Sequence, residues 1–231
     1  MNSENSAVKK TKKKRRNPFR YFFFDFVKVT GCWTAALWLR PKRLFESKKA
    51  KKHVRGRAVL IANHTGFTDP ISVHLALWYR RMHSLATTEL YEQKSRAWFF
   101  TRMHCIPVDR ENFSMETYRA CMETLAERKI LCIFPEGAIN FGDKSKVNSF
   151  KSGAVLMALK GKAPIVPVYI APRKKWYDRT VTVIGEPIDV AALCGERPNL
   201  ATIEQVTQDI HEKETKLMEI YQAWKTKKSS K

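Results

Sequence analysis

The residues best suited to chemistry fall in three short polar clusters, each directly behind an apolar run. The first is Asn63-His64-Thr65-Gly66-Phe67-Thr68-Asp69, behind AVLIA (58–62). An imidazole that titrates near neutral pH is a natural general base. A carboxylate on its other ring nitrogen fixes the tautomer and stabilises the imidazolium. Four residues including Gly66 separate His64 from Asp69, so the loop can curl until the two side chains meet. Asp69 stands before Pro70, which predicts a helix N-cap, and capping does not prevent pairing with His64. The bland alternative for His64 is a satisfied loop histidine. The second cluster, Asp109-Arg110, follows CIPV (105–108). A guanidinium there offers phosphate a bidentate fork, the alternative being a salt bridge to Asp109 or Glu111. The third, Phe134-Pro135-Glu136-Gly137, closes KILCIF (129–134), and its carboxylate could hold a hydroxyl, position a basic residue or simply sit in a turn. Lys151 precedes Ser152-Gly153-Ala154, where an ammonium and the free N–H groups of a helix start would both attract phosphate; the alternative is a solvated lysine.

These clusters need a scaffold that delivers them to one place, and the hydropathy pattern supplies it. Short apolar runs at 58–62, 83–87, 105–108, 129–134, 164–170 and 180–185 read as strands. Between them, 69–79, 91–103, 114–128 and 151–160 read as helices, and 202–224 as a C-terminal helix started by Thr202 with Gln205 three residues on. Strands alternating with helices imply an α/β domain over 58–224, a mostly parallel sheet flanked by helices. In such sheets ligands meet the chain just past the carboxyl ends of strands, where all three clusters lie.

Taken in order, NHTGFTD, IPVDR, FPEG and APIVPVYI resemble the glycerolipid acyltransferase family, whose best-known members are the 1-acylglycerol-3-phosphate (lysophosphatidic acid) acyltransferases. The resemblance covers about residues 55 to 190. It implies an acyltransferase-like core, monotopic or peripheral at the cytoplasmic face of a membrane. It also implies a fatty acyl group moving from acyl-CoA or acyl-carrier-protein to the hydroxyl of a lysolipid. On that likeness His64 and Asp69 are the catalytic pair, and Arg110, Glu136 and Gly137 bind the acceptor's polar part. The chain departs from the family where Glu136-Gly137 runs on to Ala138-Ile139-Asn140 in place of Thr-Arg. It also has no glycine between Ala97 and Gly137. Both departures bear on the acceptor, so another lysophospholipid or a lyso-aminolipid stays open beside 1-acyl-glycerol-3-phosphate. With no Gly-x-Ser-x-Gly elbow, direct transfer is expected over a covalent intermediate. Cys105 and Cys132 lie in strand runs and read as core.

Composition narrows the remaining classes. The net charge of +21 is concentrated at the front: residues 1–57 hold 18 basic and 3 acidic side chains, residues 58–200 hold 19 and 14. A chain that coats nucleic acid would spread its basic residues along a binding face, so no nucleic-acid partner is expected. The expected organisation is a basic tail (1–17), an aromatic and basic membrane-associating segment (18–57), the domain, and a basic C-terminal tail (225–231). Pro18–Leu39 is rich in large apolar residues yet interrupted by Arg20, Asp25 and Lys28, and basic residues flank it on both sides. It is therefore expected to lie in, or dip into, the interface of an anionic membrane. The alternative is a helix buried on the domain. Five cysteines without a Cys-x-x-Cys pair, and six histidines without His-Glu-x-x-His, point to no metal and no cofactor. The competing classes are a catalytically inert membrane-binding module and a hydrolase, the latter disfavoured because neither a nucleophile elbow nor a metal cluster is present.

Overall fold

The computed structural model describes residues 18–52, 54–109, 111–140, 149–173, 175–195 and 197–230. Arg110 and the 1–17 tail thus lie outside the described residues. The strands are β1 (Lys42–Phe45), β2 (Ala58–Ala62), β3 (Met82–Thr87), β4 (Ile106–Val108), β5 (Ile130–Ile133), β6 (Ile165–Ile170) and β7 (Val181–Ile184). They form one sheet in the order β1-β7-β6-β2-β5-β3-β4, parallel at every pairing except β6 with β7. The helices are α1 (Phe22–Leu39), α2 (Asp69–Ala76), α3 (Lys94–Arg102), α4 (Met115–Ala126), α5 (Gly153–Lys160), α6 (Val190–Cys194) and α7 (Leu200–Ser229).

The central strands are apolar at successive positions because both faces of the sheet are covered. Val59, Ile61, Leu131, Ile133 and Ile165 pack with α4, α5, α6 and α7, whereas Ala58, Leu60, Ala62, Ile130, Cys132 and Val166 pack with α2. That period-2 division fixes register, since a one-residue slip would exchange the two faces. The α4 and α5 layers meet closely at Gly161, where an added Cβ would run into Leu125 Cδ1.

Several elements differ from expectation. The stretch Lys42–Phe45, expected to belong to the membrane segment, is an edge strand on β7; two of its four residues are cationic and exposed, which suits a sheet edge and masks the strand signal. The C-terminal helix begins earlier, because Asn199 Oδ1 accepts the Thr202 amide at 2.7 Å; Asn199, and not Thr202, is the cap. It also runs on to Ser229, through the expected C-terminal tail. Asp69 is the first helical residue and not the cap of α2.

α1 neither buries nor stands apart. Tyr21, Phe24 and Leu39 are buried against the domain, while Phe22, Phe26, Val29, Trp33 and Leu37, at helical spacing, form an exposed apolar stripe. Phe23 meets Trp98 and Phe99 of α3 edge-on at 5.0 and 6.2 Å. Over Phe19–Leu39 the mean hydropathy is 1.2, long and apolar enough to cross a membrane by length and composition.

Candidate active site

β2 lies between β6 and β5 in parallel register, so the segments leaving the carboxyl ends of β2 and β5 emerge side by side. That placement brings the first and third clusters together. His64 Nδ1 lies 3.0 Å from Asp69 Oδ2, and the same oxygen accepts the backbone N–H groups of Thr65 (2.6 Å) and Gly66 (2.8 Å). Three donors converge on this one oxygen, which explains why Asp69 does not cap: it ties down its own loop. With Nδ1–H donating to Asp69, the lone pair of His64 is on Nε2. The His64 side chain is 17% exposed and that of Asp69 4%, a shielded pair with an accessible base.

From β5, Phe134 stacks on the His64 ring at 4.4 Å and 26°, and Glu136 Oε1 accepts the His64 backbone N–H at 2.9 Å. The carbonyl of His64 in turn accepts the Asn140 amide at 2.7 Å. Asn63 bridges to β6, its Nδ2 donating to the Ile170 carbonyl (2.9 Å) and its Oδ1 accepting the Ile170 amide (2.6 Å). The imidazole and its backbone are thus held from three strands, an arrangement that would suit a general base.

The Acyltransferase family profile matches residues 43–171, over half of the chain. The chain belongs to the Acyltransferase family. The 1-acyl-sn-glycerol-3-phosphate acyltransferase of Bacillus subtilis is 33% identical over 167 residues, covering 69% of this chain and 82% of that protein. The enzyme of the same name from Streptococcus pneumoniae is 27% identical over 172 residues, covering 72% and 62% respectively. The crystal structure of the 1-acyl-sn-glycerophosphate (LPA) acyltransferase PlsC from Thermotoga maritima superposes with a TM-score of 0.61 at 20% identity, over 87% of this chain and 81% of that one, and shows the shared fold.

Around the pair, this acyltransferase arranges the remaining predicted residues unevenly. Gly137 adopts φ +74° in the turn closed by its N–H on the Phe134 carbonyl (3.1 Å), and an added Cβ would lie 3.4 Å from Lys151 Cε and 3.6 Å from Lys151 Nζ. The Lys151 ammonium therefore stands beside Gly137, and the Lys151 N–H donates to the Pro135 carbonyl at 3.1 Å. Lys151 precedes α5 by two residues, so it reaches the site through this turn and not as part of the helix. Arg110 lies outside the described residues. Asp109, just before it, uses Oδ1 to accept the Glu111 and Asn112 amides, at the end of an edge strand three places from β2, on the order of 14 Å away at ~4.8 Å per strand. The backbone N–H groups of Gly137 and Asp69 are both engaged within their turns, Gly137 with the Phe134 carbonyl and Asp69 with that of Gly66. Cys132 is buried in β5, and burial pushes its thiol and that of Cys105 up to about 12, which makes both inert.

No local spacing signals the stacking of Phe134 or the Asn63 bridge. The sequence does carry a signal for Glu214. On α7 the buried positions Ile203, Val206, Ile210 and Leu217 make an apolar stripe, and Glu214 is the carboxylic acid set into it, 0% exposed. Both of its oxygens are fully buried, and burial, together with the neighbouring Glu136 carboxylate, raises its pKa well above the usual value, the Asn63 backbone N–H opposing the shift.

Proposed function

We propose that this acyltransferase moves a fatty acyl group from the thioester of acyl-CoA or acyl-carrier-protein to the free hydroxyl of 1-acyl-glycerol-3-phosphate, giving phosphatidate. The observation that carries this reading is the His64–Asp69 pair, with Nδ1 held on a carboxylate and Nε2 left basic. Nε2 takes the hydroxyl proton as the oxygen attacks the thioester carbonyl. The tetrahedral intermediate expels the thiolate, which takes the proton from the imidazolium. Asp69 stabilises that imidazolium, and Phe134 and Glu136 hold the ring and its backbone in place. The Lys151 ammonium, beside Gly137, is suited to the acceptor phosphate, with Arg110 as the family's second cation for that role. The curated relatives' shared name supports the acceptor.

The exposed stripe on α1 supports attachment to the membrane, with the basic 1–57 region on the anionic, cytoplasmic face. A soluble helix does not turn five large apolar residues to water, whereas an interfacial one does. Phe67, in the His64 loop and 80% exposed, supports the same orientation, with the site opening toward the lipid.

The test is acyl transfer by the purified protein with both donors against lysolipids differing in headgroup. Lysophosphatidic acid should be the best acceptor. A higher kcat/KM on a lysolipid without a phosphomonoester would replace it with that lipid, and hydrolysis without transfer would refute the reading.

A further inference from the structure

At the opposite end of the sheet lies an open cavity of about 500 Å³ lined by Lys28, Arg80, Arg81, Arg128 and Lys129 with a single carboxylate, Asp25. Its residues precede strands: Gly56 before β2, Arg81 before β3, Lys129 before β5. His64 and Glu136 follow β2 and β5, so a strand's length, ~17 Å, separates this cavity from the catalytic site.

The charges do not balance. Asp25 is committed to Arg81, its oxygens accepting from Nε at 2.9 Å and from Nη2 at 2.5 Å. Lys129 lies in the field of Glu127 and above the Tyr21 ring at 4.6 Å. Arg80 donates to the carbonyls of Val54 (2.7 Å), Gly56 and Arg128 (2.8 Å), and Lys28 donates to the Arg80 carbonyl. Carbonyl dipoles orient these cations without cancelling their charge. Lys28 and Arg80 are half-buried, and burial is the main effect disfavouring each as a cation; Cys32 and Asp25 for Lys28 and Tyr79 for Arg80 oppose it, and the neighbouring arginines add to it. Positive groups held together against their own repulsion, around a concavity, are relieved by a compact multivalent anion. A nucleic acid would need a stripe of such groups, and this is one concave point.

We propose that this cavity is a phosphate-binding site, distinct from the catalytic one, for the phosphoryl group of an anionic lipid headgroup or a free phosphate. Asp25 and Lys28 belong to α1 and alternate with its exposed Phe22, Phe26 and Val29, so the cavity mouth adjoins the apolar stripe and lies where headgroup phosphates are densest once that stripe enters a bilayer.

Gly56 lines the cavity, and its backbone amide is a reporter for NMR of the full chain labelled with nitrogen-15 in neutral detergent. Inorganic phosphate and dihexanoyl phosphatidic acid are titrated in turn. A saturable Gly56 shift with both supports a site for any phosphate, and a shift with the lipid alone supports a headgroup site. Lys28→Gln with Arg128→Gln should weaken the response by about fivefold per cation removed. The shift at Gly137 and acyl transfer should be unchanged, since neither residue touches the catalytic loops. Lys48→Gln with Lys49→Gln removes the same charge from an exposed turn elsewhere. No Gly56 shift, a shift that survives Lys28→Gln with Arg128→Gln, or an equal loss in the Lys48 and Lys49 variant would each overturn the proposal.

Discussion

At the scale of single residues, the site concentrates several duties on few atoms. Asp69 Oδ2 alone serves the His64 ring and two backbone amides. His64→Ala should therefore lower acyl transfer by roughly 10²- to 10⁴-fold, with unchanged circular dichroism and liposome binding. Asp69→Asn retains an oxygen for the Thr65 and Gly66 amides while withdrawing the charge that stabilises imidazolium. It should fold, with a melting temperature close to wild type, and lose a comparable share of kcat; wild-type turnover would make the pair structural. Lys151→Gln should raise KM for a phosphate-bearing acceptor by on the order of tenfold with little change in kcat, and leave KM for an acceptor without phosphate unaltered. The meeting of His64 with Asp69 was legible in sequence because a short loop constrains which side chains can meet, whereas Glu136 and Gly137 were assigned to the acceptor only through the resemblance to the family. Phe134 and Asn63 were not legible, because a ring stack and a bridge to β6 depend on which strands are neighbours, and strand order is not written in any local spacing.

At the scale of elements, α7 underlies the site through Glu214, which faces Glu136 from the β5 loop and Tyr169 from β6. Its pKa is raised in the folded state, so folding favours the protonated form. The sign follows: stability is undiminished below the ordinary carboxylate value of 4.5 and falls as pH climbs from there toward the raised folded-state value. Glu214→Gln keeps the shape and cannot ionise, so it should melt at about the wild-type temperature at pH 4 and increasingly above it toward pH 8, by calorimetry. A constant difference across that range would refute a neutral Glu214. The parallel sheet and most helices were legible because fully apolar strands and 3.6-residue periodicity coincide with burial. β1 was hidden by its charges, and the start of α7 by a Thr-x-x-Gln pattern that imitates a capping box one turn inside the true cap, Asn199.

At the scale of the whole molecule, the N-terminal segment carries both the exposed apolar stripe and parts of the fold. Tyr21 is buried with its hydroxyl donating to Glu127 at 2.9 Å, and β1 closes the sheet edge, so removing residues 1–57 would strip the fold along with the proposed lipid-binding stripe. Replacing Phe22, Phe26 and Trp33 together by serine tests the stripe alone. Flotation with anionic liposomes should fall sharply while acyl transfer to a micellar acceptor persists. High salt should weaken wild-type binding only in part, since charge is screened within ~8 Å at physiological ionic strength and apolar contact is not. Undiminished flotation of the triple variant would sink the interfacial reading.

The pairing of β1 with β7 also imposes an order of events during synthesis. Lys42–Phe45 receive their strand partner, Val181–Ile184, only after roughly 140 further residues are made, which at ~5–20 residues per second is an interval of roughly 7–28 s. For most of it α1 has left the ribosome with its apolar stripe uncovered and β1 unpaired, so on the interfacial reading a bilayer is available to it before β7 is. A nascent chain halted at residue 175 should already sediment with membranes while its Lys42–Arg43 bonds are still cut by trypsin. Release to residue 231 should protect them, the tether coming first and the sheet closing around a chain that is already anchored.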